Sequence, residues 1–183
     1  MRVITGSAKG RKLKAPKGLT TRPTTDRVKE ALFNILGSKV SDAIILDLFA
    51  GSGALAIEAL SRGAERAVLV DGSPQAIEAI KHNLTVTRLS AQVEVLRQDV
   101  YHVLSALGEK AESFDLIFLD PPYLQGHGHR VLGLIERFGL LAKDGLIVVE
   151  ASKTDSLPQE VGALMLRRRD NYGDTSLYFY TWQ

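Results

Sequence analysis

Strands and helices alternate along residues 43–149, and the chain then closes on two extended segments with no helix between them. This pattern predicts an α/β fold, a mostly parallel sheet with helices on both faces and a terminal antiparallel hairpin at the sheet edge. A third observation places a ligand. Gly51-Ser52-Gly53 follows the first strand, and ligands of open α/β sheets bind at strand carboxyl ends.

Taken in order, Arg2-Val3-Ile4-Thr5 and Arg11-Lys12-Leu13-Lys14 can pair around Gly6 to Gly10. Thr24, Thr25 and Asp26 offer a helix N-cap. Val28, Ala31, Leu32, Ile35 and Leu36 then form one helical stripe, closed by Gly37. Ala43 to Phe49 is an apolar strand and Gly53 to Arg62 a helix. Arg66 to Val70, Val93 to Leu96, Phe114 to Leu119 and Leu146 to Val149 read as further strands. Ser73 to Leu84, Val100 to Leu107 and His129 to Phe138 read as the helices between them. Ala163 to Arg168 and Ser176 to Trp182 are extended, joined by a turn over Asn171-Tyr172-Gly173-Asp174.

Composition narrows the classes. A chain of 183 residues with 45% hydrophobic content fits one domain with a buried core. The absence of cysteine excludes disulfides and thiolate chemistry, and it fits a reducing compartment. The start is polar and basic, and no apolar run reaches a membrane-spanning length, so a soluble cytoplasmic protein is expected, with no demand for more than a monomer. The net charge of +2 conceals an asymmetry: residues 1–30 carry nine Lys/Arg against two acids, a balance of +7 that leaves −5 on the rest. A basic arm on an acidic body is the footprint of nucleic-acid binding, although a solvated tail has the same composition.

Asp120-Pro121-Pro122-Tyr123 ends the strand Phe114 to Leu119, because two prolines cannot continue a ladder. An acid, two rigid carbonyls and a ring at that place suit a flat base with an exocyclic amine. Such an amine is a weak nucleophile, its lone pair being delocalised into the ring. The Asp120 carboxylate and the Pro121 carbonyl can accept its hydrogens and aim the lone pair, while Tyr123 stacks on the base. A base in paired RNA would have to be flipped out. Pro-Pro also occurs as simple punctuation.

Gly51-x-Gly53 alone matches dinucleotide sites as well, with Asp71 at the expected distance. Asp47 distinguishes the two cofactors. A carboxylate four residues before the first glycine repels a pyrophosphate but attracts the α-amino group of S-adenosylmethionine. Asp71 can accept the ribose hydroxyls and Asp99 the adenine amine, although each acid also suits a helix cap. Thr25 and Arg27 can reach either the methionine end of the cofactor or an RNA phosphate. His127 and His129 have no cysteine or acids nearby for a metal site, and a substrate loop is expected there.

Asp47-Leu48-Phe49-Ala50-Gly51-Ser52-Gly53, the Val70-Asp71 ending, Gln98-Asp99 and Leu119 to Tyr123 stand in the order of class I methyltransferases. With Arg2 to Leu13 and Thr21 to Leu36, the chain resembles the RsmD family of 16S ribosomal RNA guanine-N2 methyltransferases. The resemblance implies a Rossmann-like sheet of seven strands, mostly parallel with an antiparallel last strand. It implies an RNA-binding arm and helix over residues 1–37 and a methyltransferase domain over residues 38–183. Cofactor contacts are then expected from Asp47, Phe49, Gly51, Ser52, Gly53, Asp71, Gly72, Ser73, Asp99, Val100 and Asp120. Relatives often carry bulkier or charged residues where this chain has Gly72-Ser73. Asp120, Pro121, Pro122 and Tyr123 form the expected catalytic group, and Arg2, Lys9, Arg11, Lys12, Lys14, Arg22 and Arg27 the RNA contacts. The expected partner is 16S rRNA or a small-subunit particle. The alternatives are amino-methylation of DNA or protein glutamine, a non-catalytic RNA-binding module and, least of all, a dinucleotide oxidoreductase.

Overall fold

A computed structural model describes residues 1–16, 25–121 and 127–183. The α-helices are α1 (Asp26–Leu36), α2 (Ala54–Ser61), α3 (Pro74–Thr87), α4 (Val100–Glu109) and α5 (His127–Phe138). The strands are β1 (Ile44–Leu48), β2 (Arg66–Val70), β3 (Val93–Leu96), β4 (Phe114–Leu119), β5 (Leu141–Ser152), β6 (Glu160–Val161), β7 (Leu164–Tyr172) and β8 (Thr175–Trp182). They form one sheet in the order β3-β2-β1-β4-β5-β8-β7-β6.

The first five strands are mutually parallel, as the alternation with helices requires. The terminal hairpin differs from the expectation in two ways. Its strand β8 inserts antiparallel between β5 and β7 rather than lying at the edge. The edge belongs instead to β6, whose two residues pair with Leu164 and Met165, so the described sheet has eight strands and not seven. A two-residue strand carries no readable alternation, which is why it escapes a periodicity argument. Strand β5 also begins five residues earlier than its apolar run, because Leu141 pairs with Phe114 before a shift in register.

Strand parity divides the core into two layers. Ile45, Leu69, Leu116, Phe118 and Val148 face one layer, with Leu32, Phe33, Ile57 and Ile80 above them. Leu46, Leu48, Val70, Ile117, Leu119 and Val149 face the other, against Val103, Leu104, Val131, Leu132 and Ile135.

The amino-terminal segment belongs to the first layer. Arg2 bridges Lys12 in antiparallel fashion, and Val3, Ala8 and Leu13 are buried. Gly6 (φ 87°) packs so closely on α2 that a Cβ would lie 1.6 Å from the Ser61 carbonyl oxygen. The Ile4 and Thr5 amides donate to the Glu58 carboxylate at 2.8 and 3.0 Å. Helix α1 is capped by the Thr25 hydroxyl, which accepts from the Val28 amide. Its buried face holds Val28, Lys29, Leu32, Phe33 and Leu36, turned from the predicted stripe so that Lys29 points inward. The reason is an ion pair: Lys29 Nζ lies 3.0 Å from Glu58 Oε2, both side chains fully buried, and it also donates to the Arg2 carbonyl.

Glu58 thus satisfies one buried lysine, Arg62 and two backbone amides. Glu58→Gln keeps the shape but leaves Lys29 buried without its counter-charge. It is expected to cost about 3 to 5 kcal/mol of stability, read from the urea midpoint, and to make residues near Thr5 more sensitive to limited proteolysis.

Candidate active site

The strand carboxyl ends of β1, β2 and β4 lie side by side, with Leu48 in register with both Val70 and Leu119. Neighbouring strands are about 4.8 Å apart, so acids that end these strands are forced together.

Asp47 is buried in β1 and accepts from the Ala56 amide of α2 at 3.2 Å. Burial pushes its carboxyl up to about 8, a rise lessened by the Ala56 hydrogen bond and increased by the Asp71 carboxylate. Phe49 follows with φ at 59°, a left-handed backbone unusual for a non-glycine residue, and starts the turn. The turn is held from both sides. The Ala50 amide donates to the Val70 carbonyl, and the Gly51 amide donates to Asp71 Oδ2 at 2.9 Å. Gly53 (φ 73°) caps the start of α2 in a left-handed backbone, and a Cβ there would press on the Leu69 Cδ2 at 2.9 Å, which favours glycine. The Ser52 carbonyl accepts from Asn83 Nδ2, whose Oδ1 accepts from the Lys14 amide. Fully buried Asn83 therefore ties the glycine turn to the basic arm.

Asp71 also accepts from the Ser73 amide at 2.8 Å, across the exposed Gly72, and Ser73 then caps α3. Asp99 caps α4 by accepting from the Tyr101 and His102 amides, with buried Val100 as the first helical residue. The cap chemistry anticipated for Asp99 is therefore present, and a carboxylate in that role keeps acceptor capacity for a ligand.

Asp120 ends β4, its amide 3.5 Å from the Leu48 carbonyl oxygen, and buried Pro121 follows. Burial is the largest cause that holds the Asp120 carboxyl well above the usual carboxylate range, followed by the Glu150 and Asp47 carboxylates. Pro122 and Tyr123 lie outside the described residues, as does Arg22 of the arm.

Glu150 was not anticipated. It is 4% exposed and follows Val149, the register partner of Leu119, so it sits beside Asp120. The signal was present in the chain: Leu146 to Val149 ends on an acid just as the strands before Asp71 and Asp120 do. Tyr101 and Arg130 were also missed. His127 and His129 do not form the expected loop. Helix α5 begins at His127, so its first turn starts two residues before the expected His129. The two histidines sit in that turn, and His127 faces Phe49 and Tyr101.

Of the arm cations, Lys9, Arg11, Lys12 and Arg27 are exposed. Arg2 lies 3.5 Å from Asp26, and Lys14 lies 3.1 Å from Glu78. Lys29, counted in the charge of the arm, is withdrawn into the core.

Asp71 opposes the ionisation of Asp47, and Glu150 and Asp47 oppose that of Asp120, so these acids, beside a backbone turn held open by glycine, make a site that favours a cationic ligand. A sulfonium bearing an ammonium group fits that demand, and a pyrophosphate does not.

Residues 1–181 match the family described as conserved hypothetical protein 95. The Bacillus subtilis protein YlbH, provisionally named an rRNA methyltransferase, is 46% identical over 98% of this chain and 98% of its own length. Ribosomal RNA small subunit methyltransferase D of Escherichia coli K12 is 36% identical over 98% of this chain and 89% of its own length. The solved structure of YhhF from Escherichia coli, provisionally described as a methyltransferase, matches at a TM-score of 0.86 and 37% identity, covering 100% of this chain and 98% of that one.

Proposed function

The chain belongs to the RsmD family, the one described as conserved hypothetical protein 95, and from that premise we propose that it methylates the N2 amine of a guanine in small-subunit (16S) ribosomal RNA. S-adenosylmethionine is the methyl donor and supplies an electrophilic methyl group. The observation that carries the assignment is the set of acids at adjoining strand ends, Asp47, Asp120 and Glu150, beside the Gly51 to Gly53 turn.

Each residue then has a task. Asp47 meets the ammonium of the donor, Asp71 its ribose hydroxyls and Asp99 its adenine amine. The backbone from Phe49 to Gly53, with Gly72, Ser73 and Val100, forms the walls. Asp120 and the Pro121 carbonyl accept the hydrogens of guanine N2 and turn its lone pair toward the methyl group. After transfer the amine loses a proton to the Asp120 carboxylate or to water. Pro122 and Tyr123, by their place in the motif, complete the base pocket. Residues 1–37 bind RNA and residues 38–183 carry the transfer, in a cytoplasmic monomer acting on free 16S rRNA or on an assembling subunit. No helix among the described residues is long and apolar enough to cross a membrane.

Labelled methyl transfer to undermethylated small subunits, naked 16S rRNA, DNA and protein tests the assignment. Label recovered as N2-methylguanosine is expected, and label on DNA or glutamine, or on nothing while the cofactor binds, defeats it. The exposed arm cations make a second test. Replacing Lys9, Arg11 and Lys12 together by Gln removes three possible phosphate contacts and is expected to flatten the slope of log affinity for RNA against log salt by about 2 to 3. An unchanged slope would remove the arm from the interface.

A further inference from the structure

Four side chains converge at the active-site edge from the layer opposite the arm. The Phe49 and His127 rings lie 5.8 Å apart, and the Tyr101 and His127 rings 6.0 Å apart. The Tyr101 hydroxyl and His127 Nδ1 share a hydrogen bond. The Arg130 guanidinium lies over the Tyr101 ring, 4.1 Å from its centroid. Phe49 follows β1 directly, while Tyr101 and the His127–Arg130 pair lie in the first turns of α4 and α5. All of them therefore stand at the carboxyl edge of the sheet, the edge at which Asp120 also follows β4. Phe49 and Tyr101 pack on the second core layer, whereas Val3, Ala8 and Leu13 of the arm pack on the first.

Arg130 is exposed, and no carboxylate among the described residues pairs with it. Several other arginines are committed: Arg62 to Glu58, Arg66 to Glu112 and Arg168 to Asp170. A guanidinium seated over a ring still has its N–H donors for a ligand and loses little freedom when they are used. A fixed fork of that kind suits a phosphate better than a mobile lysine does.

We propose that Arg130, seated on Tyr101 and propped through His127 against Phe49, binds a backbone phosphate of the RNA beside the target guanine. The arm and Arg130 then hold the strand from the two layers of the sheet, with Asp120 between them. This inference rests on the rRNA-methylating activity proposed above and adds a contact to it.

The experiment compares the wild-type protein with Arg130→Ala, Arg130→Lys and Tyr101→Leu in labelled transfer to undermethylated rRNA, with S-adenosylhomocysteine affinity measured alongside. For Arg130→Ala, KM for RNA is expected to rise about tenfold and the salt slope to fall by about one, with kcat and S-adenosylhomocysteine affinity unchanged. Arg130→Lys keeps the slope but not the fork, so KM rises about threefold. Tyr101→Leu raises KM with no loss of charge, an effect that a free surface arginine would not produce. Unchanged KM and slope in Arg130→Ala would overturn the inference. So would a loss of S-adenosylhomocysteine affinity with KM for RNA intact, which would assign the guanidinium to the carboxylate of the donor. A wild-type protein that labels no rRNA would instead defeat the proposed function itself.

Discussion

Asp120→Ala is expected to slow methyl transfer by about 10²- to 10³-fold while leaving S-adenosylhomocysteine bound nearly as well as before. The hydrogens of an exocyclic amine must be accepted for its lone pair to leave conjugation with the ring, and Asp120 ends the strand where the base is proposed to sit. The Pro121 carbonyl remains in the variant, so the loss is large but not total. Asp120→Asn retains one acceptor oxygen and should fall between the two.

The same variant has a second signature. Burial, then Glu150 and Asp47, hold the Asp120 carboxyl above the ordinary value of 3.8. A carboxyl with a raised folded-state pKa favours the folded state fully below its unfolded value and loses that contribution as pH climbs toward the folded value. Asp120 therefore withdraws stability from the free protein as pH rises above about 4, and Asp120→Ala should flatten that part of the pH dependence. Urea midpoints at pH 6 and pH 8 measure it. A variant with full turnover would remove Asp120 from the chemistry, and an unchanged pH slope would remove it from the acid cluster.

Much of the site was legible because strand ends are written in local sequence. An apolar run stopped by an acid, a glycine pair or Pro-Pro states its own boundary; Gly53, Asp71 and Asp120 were found that way, and Asp47 by its spacing before Gly51. Glu150 carried the same mark at the end of the fifth strand, but only the pairing of β4 with β5 brings it to Asp120. Lys29 escaped because a lysine in a helix normally faces water, and nothing near it in the chain announces Glu58, 29 positions away. Arg130, Tyr101, His127 and Phe49 come from three separate strand-to-helix connections, and their convergence depends on the strand order. The insertion of β8 between β5 and β7 is likewise a matter of order, which alternation and turn residues do not encode.

Asp47→Asn should separate cofactor binding from stability in opposite directions. The side chain is 3% exposed and its carboxyl is pushed up to about 8, so in the free protein near neutral pH it is mostly protonated. An amide is nearly isosteric with that neutral acid, and its oxygen can still accept from the Ala56 amide. The free variant should therefore match the wild type only below about pH 4, be more stable at pH 6 and be more stable still at pH 8. The wild-type contribution is complete below the unfolded value of 3.8 and disappears as pH passes through about 8. Binding reverses the advantage. The ammonium of the donor needs an ionised partner, so S-adenosylhomocysteine affinity of the wild type should climb from pH 6 to pH 8, with a proton released on binding. Asp47→Asn has no proton to release, so its affinity should be flat over that range and about 100-fold weaker at pH 8. Calorimetry in two buffers of different ionisation enthalpy reads the released proton directly. Equal affinity of the two proteins, or a wild-type affinity that ignores pH, would mean that Asp47 braces the turn through Ala56 and does not meet the ligand.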